Sequence, residues 1–192
     1  MIIDIFKTSI YKTSLENKEY TDYFYNLIEC QKKINSSNCV SNIGGFQTKS
    51  FNTINNKNIY NDIFINPALQ YIKQFNKTYN ITLSNFWINS NNKNDYNLLH
   101  NHNDSNISGV YYIKVPENSG RIVFQNGDLS KMNSKNQYCF DNANFYSRYF
   151  LPVKQYDLIL FSSDIFHYVE PNRSNDERIS VSFNMLIKGI IG

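Results

Sequence analysis

The last third of the chain predicts two antiparallel strands joined by a turn. Residues Tyr156–Phe161 form a short apolar run typical of a strand that is buried on both faces. Residues Glu170–Glu177 are rich in turn formers, and Arg178–Asn184 alternates strictly between polar and apolar side chains. Since successive side chains of a strand point to opposite faces, every second residue from Arg178 onward lies on one polar face. Antiparallel pairing brings this face alongside His167, where it is available to a ligand.

The chain has three histidines, and their positions point to one metal site. His100 and His102 lie close together, Asp104 follows, and His167 is far downstream. In an extended segment, residues two apart point the same way, so His102 and Asp104 can reach one ion while the third ligand comes from a distant strand. Two imidazoles and one carboxylate on one face of the metal are the ligand set of non-haem iron(II) oxygenases.

A second ligand set is open, because His100 and His102 are also two residues apart. In that set His100, His102 and His167 hold the ion. The set with one carboxylate is the commoner solution for iron(II), so we expect His102, Asp104 and His167 as ligands. His100 would then lie behind the ligands or face the substrate.

Arg178 and Ser180 form a candidate carboxylate site on the polar strand face. An arginine with a serine two residues further on can hold a carboxylate through charge-assisted, often bidentate, hydrogen bonds. Anchoring the distal carboxylate of 2-oxoglutarate requires such a pair. Tyr111 and Tyr112 point to opposite faces of their strand, and we expect Tyr112 to face the site. Asn89 is a further candidate on the preceding strand.

Eight segments in sequence order carry a resemblance to a known family. They are Ile3–Tyr11, Ser41–Gln47, Phe86–Asn89, Asn97–His102, Ser108–Tyr112, Leu158–Phe161, His167–Val169 and Arg178–Asn184. Over nearly its whole length the chain resembles the 2-oxoglutarate- and iron(II)-dependent oxygenases related to the prolyl 4-hydroxylases, which are known largely from bacterial and phage sequences. In that family the two close histidines are more regular than the acid that follows them.

The resemblance implies a mainly β fold with flanking helices and a double-stranded β-helix, the cupin-like jelly roll, as its core. It implies Fe(II) and 2-oxoglutarate as cofactors. The residues implied in binding them are His102, Asp104 and His167 for iron and Arg178, Ser180 and Tyr112 for the distal carboxylate. The implied activity is a dioxygenase reaction that uses O2, hydroxylates a small-molecule or peptide substrate, and converts 2-oxoglutarate to succinate and CO2.

Two other functions are compatible with the same jelly-roll core. A cupin-like dioxygenase would use three histidines without 2-oxoglutarate, but it would leave Arg178 and Ser180 without a task. A jelly-roll binding module without catalysis would bind no iron at stoichiometry, and changing His167 would abolish no activity.

The length, charge and cysteine content of the chain limit the other classes of protein to which it could belong. A chain of 192 residues is long enough for one domain, which we expect to span residues 1–192. The net charge is only +3 and the basic residues are dispersed, so no nucleic-acid surface is indicated. Cys30, Cys39 and Cys139 are odd in number and lack metal-ligand spacing, which is typical of reduced, intracellular cysteines. No apolar run approaches the length of a membrane span, so we expect a soluble, cytoplasmic protein.

Two helices are predicted before the strands. Residues Ser14–Ile34 begin with a serine and a later glutamate, and their apolar residues recur at helical spacing. A second helix is predicted within Tyr60–Tyr79, starting at Pro67 because proline suits a first turn. Strands are expected to dominate after Ile81.

Two loops frame the predicted site. Residues Ser90–Asp95 form a polar loop before the candidate iron ligands. Residues Asn126–Tyr146 form a longer irregular stretch that we expect to border the substrate opening, because long loops in compact domains are often functional.

Overall fold

The fold consists of two antiparallel sheets with helices packed on the outside of one of them. The computed structural model describes residues 8–38, 40–75, 78–128, 135 and 146–191. The strands are β1 (Ile10–Ser14), β2 (Asn42–Ile43), β3 (Phe46–Gln47), β4 (Thr78–Asn91), β5 (Tyr96–His100), β6 (Ile107–Lys114), β7 (Ile122–Gln125), β8 (Arg148–Leu151), β9 (Asp157–Ser162), β10 (His167–Val169) and β11 (Arg178–Ile191). The helices are α1 (Lys18–Ile34), α2 (Lys57–Ile59) and α3 (Asn66–Ile72), with a π-helical segment (Tyr60–Ile65) before α3 and a 3₁₀ turn (Lys73–Phe75) after it.

The sheet order confirms the predicted mainly β fold with flanking helices. The larger sheet has the order β1-β9-β6-β11-β4-β3, and the smaller has the order β2-β5-β10-β7-β8. Neighbours in the chain repeatedly fall in opposite sheets, as in a double-stranded β-helix. The predicted strands and turn are present as β9, the turn after β10, and β11, but the predicted pairing is wrong. Strand β11 pairs with β4 and β6 rather than with the preceding strands, and β10 with His167 lies in the opposite sheet, because the chain crosses between the sheets at each turn.

Strand β11 separates two cores by the alternation of its side chains. Ile179, Val181 and Phe183 are fully buried against the helices on the outer face of the larger sheet. The intervening residues point toward the smaller sheet, where a second apolar cluster includes Phe124 and Phe161. The two rings meet edge to face with centroids 4.9 Å apart. This inner cluster joins the two sheets and leaves the polar face of β11 between them.

Helix α1 begins later than the sequence predicted. Ser14 ends β1, where it pairs with Asp157 of β9, so the strand continues through the expected helix start. Asn17 is the N-cap, and its side chain accepts a hydrogen bond from the Tyr20 N–H (3.4 Å). Phe24 and Ile28 form the buried stripe that docks the helix on the larger sheet.

The predicted helix start at Pro67 agrees within one residue with the start of α3 at Asn66, but α2 and the π-helical segment extend the helical structure back to Lys57. Proline cannot donate a backbone hydrogen bond, and its ring presses on the carbonyl four residues back. The wider π turn accommodates this, since the Asn66 N–H bonds to the Asn61 carbonyl five residues back. No helix in the described residues is long and apolar enough to cross a bilayer.

The structure shortens one of the two predicted loops and describes little of the other. Strand β4 runs to Asn91, so the loop predicted at Ser90–Asp95 is shortened to a tight turn before β5. Strands also begin slightly before Ile81, at Thr78. Most of the stretch Asn126–Tyr146 lies outside the described residues.

Gly109 of β6 allows three strands to approach closely. A Cβ at this position would collide with the ring of Phe183 and would lie 2.6 Å from Leu160 Cδ2. We expect Gly109→Ala to destabilise the protein by about 1–3 kcal/mol, the usual cost of overpacking a core. Thermal unfolding measures this, with Gly127→Ala as the control because nothing lies within 4 Å of a Cβ there. Equal melting temperatures for both variants would contradict the packing argument.

Candidate functional site

A narrow cavity between the two sheets contains most of the predicted site residues. It encloses about 520 Å³ of empty space, part of which is open to solvent. The predicted residues among its lining are Asn89, His100, His102, Tyr112, His167, Arg178 and Ser180. The histidines come from strands of the smaller sheet and the loop after β5, and the other residues come from the larger sheet.

The three histidines form one cluster. His100 ends β5 and pairs directly with His167, the first residue of β10, while His102 follows in the next loop. The ring centroid of His100 lies 4.9 Å from the ring centroid of His102 and 4.4 Å from that of His167. One ring nitrogen from each histidine lies within 4.8 Å of the others. Within the described ranges, this is the one group of three or more histidine, cysteine or acidic side chains with metal-binding geometry.

The surroundings of the histidines prepare them as neutral ligands. Nδ1 of His100 lies 2.6 Å from the Leu98 carbonyl, and Nδ1 of His167 lies 2.9 Å from the Ile165 carbonyl. A carbonyl only accepts, so the proton sits on Nδ1 and the Nε2 lone pair is available to a metal. Burial lowers the pKa of His102 to about 4 and that of His167 to about 3, with the neighbouring His100 adding to both shifts. At neutral pH these imidazoles are uncharged.

Asp104 does not belong to this cluster. It lies exposed in the turn that follows His102, and it is not among the residues that line the cavity. The structure therefore brings His102 and His167 together as predicted but adds His100 to them rather than Asp104.

Ser163 links the two loops that carry His102 and His167. Its carbonyl accepts a hydrogen bond from the His102 N–H (2.8 Å), and its own N–H donates to the Asn106 carbonyl (3.2 Å). The Ser163 hydroxyl is fully buried and lies 2.8 Å from the hydroxyl of Ser108. Backbone hydrogen bonds of the chain itself thus connect the two segments that carry His102 and His167.

Arg178 is a buried cation at the start of β11. Its side chain is 2 % exposed, and its Nη1 donates to the Ser119 carbonyl (3.0 Å) while its Nη2 donates to Asn91 Oδ1 (3.1 Å). Its Nε has no hydrogen-bond partner, and no acidic side chain of the described residues forms an ion pair with it. Burial lowers the pKa of this guanidinium. A buried charge without a counter-ion is costly, so the site is suited to an anion from outside the chain.

Three side chains lie in a row across the larger sheet beside Arg178. Ser180 of β11 pairs with Asn89 of β4 on one side and with Tyr112 of β6 on the other. The Nδ2 of Asn89 donates to the Ser182 hydroxyl (3.1 Å), while its Oδ1 is buried without a partner. Burial raises the pKa of Tyr112, so its hydroxyl stays protonated and can donate.

Tyr111 faces the other way from Tyr112. It lies in the outer core, and its hydroxyl donates to the Leu15 carbonyl (3.0 Å). Of the tyrosine pair, only Tyr112 lines the cavity.

The cavity combines a metal-binding end with an anion-binding end. The ring of Trp87 lies 5.5 Å from His102, and Trp87 pairs with Ser182 on β11. From Ser182 to Arg178 the strand advances four residues, which is about 13 Å at a rise of about 3.3 Å per residue. The metal-binding and anion-binding residues thus line one cavity at different points along β11, so a ligand with a chelating end and a second carboxylate has partners for both groups there.

Sequence reasoning missed two residues of this site. Trp87 lines the cavity beside His102, and Asn91 contacts Arg178 directly. Asn91 lies two residues after Asn89 on the same strand face, so the alternation could have found it. It was missed because the sequence placed it in a loop.

Comparison with known proteins identifies the family. A family model described as "Putative 2OG-Fe(II) oxygenase" matches residues 85–184, which is more than half of the 192 residues. The chain belongs to this family. The matched segment extends from β4 to β11 and contains every predicted site residue. As a member of the 2OG-Fe(II) oxygenase family, the protein is an enzyme that uses Fe(II), 2-oxoglutarate, O2 and an organic substrate, which confirms the predicted class and cofactors.

Solved structures share the fold at low sequence identity. A prolyl-4-hydroxylase from Pseudomonas putida aligns with a TM-score of 0.64 and 12% identity over 95% of this chain and 94% of that chain. A viral collagen prolyl hydroxylase from Paramecium Bursaria Chlorella virus-1 aligns with a TM-score of 0.54 and 14% identity over 92% of this chain and 94% of that chain. HygX from Streptomyces hygroscopicus, crystallised with nickel, 2-oxoglutarate and hygromycin B, aligns with a TM-score of 0.60 and 10% identity over 94% of this chain and 84% of that chain. No curated protein matches the chain with significant sequence similarity.

The residues in the cavity fit both cofactors. Neutral imidazoles are ligands that iron accepts, and the cavity holds three of them in one cluster. The unpartnered Nε of Arg178 is a donor suited to a carboxylate.

Proposed function

We propose that this oxygenase hydroxylates an organic substrate, with iron and 2-oxoglutarate held in the cavity between the sheets. The observation that carries the proposal is the presence of a buried arginine without a counter-ion in the same cavity as the three clustered histidines. An enzyme that bound only a metal would have no use for a buried arginine without a counter-ion.

For the metal we propose His100, His102 and His167 as ligands. One ring nitrogen of each lies within 4.8 Å of the other two, and the carbonyl contacts of His100 and His167 leave Nε2 free on both rings. The exposed position of Asp104 supports this set over the one with His102, Asp104 and His167. A carboxylate on a surface turn stays hydrated and lacks the buried contacts that orient a ligand.

For 2-oxoglutarate we propose Arg178 as the anchor of the distal carboxylate. Ser180 and the Tyr112 hydroxyl lie in the adjacent row and can donate to the same carboxylate. Asn89 has a buried oxygen without a partner and lines the space between the two ends of the cavity. Its amide suits hydrogen bonding to the bound cosubstrate or to a water beside it.

Bound iron and 2-oxoglutarate supply the oxidation, in which O2 is consumed, 2-oxoglutarate becomes succinate and CO2, and the substrate gains a hydroxyl group. The chain contributes position and protection. The imidazoles hold the metal on one side, Arg178 fixes the far end of the cosubstrate, and the apolar rings of Phe124 and Phe161 exclude water from the side next to His167.

The substrate class is proposed to be a peptide residue or a small metabolite. Structural neighbours include two prolyl hydroxylases and an enzyme crystallised with hygromycin B, so this fold accommodates both kinds of substrate in other proteins. The partly open cavity beside His102 and Trp87 offers an approach to the metal end.

An anaerobic titration tests the proposal. Metal-free protein receives Fe(II) and then 2-oxoglutarate, and the visible charge-transfer band of the iron chelate is followed. We expect the band to saturate at one equivalent of each and to be absent in His167→Ala, because that variant loses a buried ligand. Wild-type protein that binds iron but gives no band would contradict the cosubstrate site and favour the three-histidine dioxygenase without 2-oxoglutarate.

A further inference from the structure

Among the described residues, every group that accepts a hydrogen bond from the Arg178 guanidinium is neutral. The contacts are the carbonyls of Ser119 and Gly120 (3.0 and 3.5 Å) and Oδ1 of Asn91 (3.1 Å). Asn91 is the only side chain among these partners, and it is fully buried. It also lies directly opposite Arg178 in the pairing of β4 with β11, so the two residues share one rung of the sheet. The geometry of the guanidinium therefore depends on an amide in the neighbouring strand.

The orientation of the Asn91 amide is fixed by its two neighbours. A guanidinium only donates, so the Asn91 oxygen faces Arg178 and its nitrogen faces away. That nitrogen donates to Oδ1 of Asn42, which is 1 % exposed (2.8 Å). The Asn91 backbone carbonyl is held in turn by Nδ2 of the buried Asn172 (2.9 Å). Two hydrogen bonds thus fix the side-chain amide of Asn91, and a third holds its backbone.

An aspartate at position 91 would have the same shape but a different effect. It would pair with Arg178 at about 3 Å and neutralise the guanidinium inside the chain, at a distance where buried opposite charges attract strongly. An incoming carboxylate would then lose the net charge that attracts it. The neutral amide holds the same position without this competition.

We propose that Asn91 is a positioning residue for the cosubstrate: its neutral amide orients Arg178 and leaves the charge of the guanidinium for the distal carboxylate of 2-oxoglutarate. This inference rests on the proposed function, in which Arg178 anchors that carboxylate. Asn42 assists by accepting from the Asn91 nitrogen.

The proposal predicts opposite effects of Asn91→Asp on stability and on cosubstrate binding. Metal-free Asn91→Asp has a higher melting temperature than wild type, because a buried cation gains a counter-ion and the Asn42 amide can turn so that its otherwise unpartnered Nδ2 donates to the new carboxylate. Its Kd for 2-oxoglutarate rises by about 100-fold, because the ligand loses a charge-assisted interaction. Asn91→Ala leaves the charge but loosens the guanidinium, and it raises the Kd by about tenfold.

The experiment measures the Kd of the Fe(II)-loaded protein for two ligands under anaerobic conditions. 2-Oxoglutarate carries the distal carboxylate, and 2-oxobutanoate has the same metal-chelating end without it. We expect Asn91→Asp to raise the Kd for 2-oxoglutarate and to leave the Kd for 2-oxobutanoate within about threefold of the wild-type value. The reason is that only 2-oxoglutarate reaches Arg178. Asn58→Asp is the control, because it adds the same charge at an exposed position in the first turn of α2.

The outcomes separate this inference from the proposed function. Wild type that binds 2-oxoglutarate no better than 2-oxobutanoate overturns the anchoring role of Arg178 and this inference with it. Wild type that prefers 2-oxoglutarate, beside an Asn91→Asp variant with unchanged preference, overturns only the role of Asn91. A merely structural asparagine predicts equal losses for both ligands and a lower melting temperature, and that result also overturns the inference.

Discussion

Arg178→Ala is expected to raise the Kd for 2-oxoglutarate by about 30- to 3,000-fold while iron still binds at one equivalent. Removing one partner of a buried, hydrogen-bonded charge pair costs about 2–5 kcal/mol, and each 1.4 kcal/mol is about tenfold in Kd. Iron binding should persist because the histidines lie at the other end of the cavity and make no contact with Arg178 in the described structure. The charge-transfer band of the anaerobic complex measures both quantities in one titration.

Two further variants show whether charge or geometry matters at position 178. Arg178→Lys keeps the charge but not the planar fork, so we expect an intermediate Kd. Arg173→Ala removes an exposed arginine whose side chain donates to Asn94, outside the cavity, and it should bind 2-oxoglutarate like wild type. If Arg178→Ala kept wild-type affinity and wild-type folding, the anchor would have to lie elsewhere in the cavity.

His100→Ala is expected to abolish stoichiometric iron binding, whereas Asp104→Ala should keep it. The reason is positional: the His100 ring lies 4.4 Å from that of His167, while Asp104 is exposed on a turn. Losing one of three ligands from a buried site commonly removes the metal, but deleting a hydrated surface carboxylate changes little. Iron content after desalting and the band with 2-oxoglutarate measure the difference.

The reverse pattern would restore the ligand set with one carboxylate. In that case Asp104→Ala would lose iron and His100→Ala would retain it, and the turn that carries Asp104 would have to move on metal binding. Thermal melts of both variants serve as the folding control. They distinguish a lost ligand from a lost structure, because an exposed aspartate and a half-buried histidine contribute little to the cores.

The strands around the site were predictable because their side chains alternate in the sequence itself. The pattern from Arg178 to Asn184 assigned one face to the core and the other to a ligand, and the structure places Val181 in the core and Ser180 in the cavity. The same rule separated Tyr111 from Tyr112. Such local patterns survive folding because a slip of one residue would expose a whole apolar face.

The spacing of residues in the sequence could not decide between the two possible sets of metal ligands. His100 and His102 are two residues apart, and so are His102 and Asp104, so both pairs satisfy the same rule. What separates them is where β5 ends, and its pairing with β10 sets that point by placing His100 opposite His167. Long-range pairing also extended β4 to Asn91. These two differences lie at element boundaries, where tertiary contacts outweigh local preference.

The hydrogen bonds of Ser163 affect how much ordering of the chain accompanies metal binding. The loops of His102 and His167 are tied by main-chain hydrogen bonds that need no ion. The conformational entropy of these loops is therefore lost when the chain folds, and metal capture needs little further ordering. In zinc fingers the metal is required for folding. We therefore expect the chain to keep its fold when a chelator removes the iron and to rebind iron afterwards, which thermal melts before and after chelation measure.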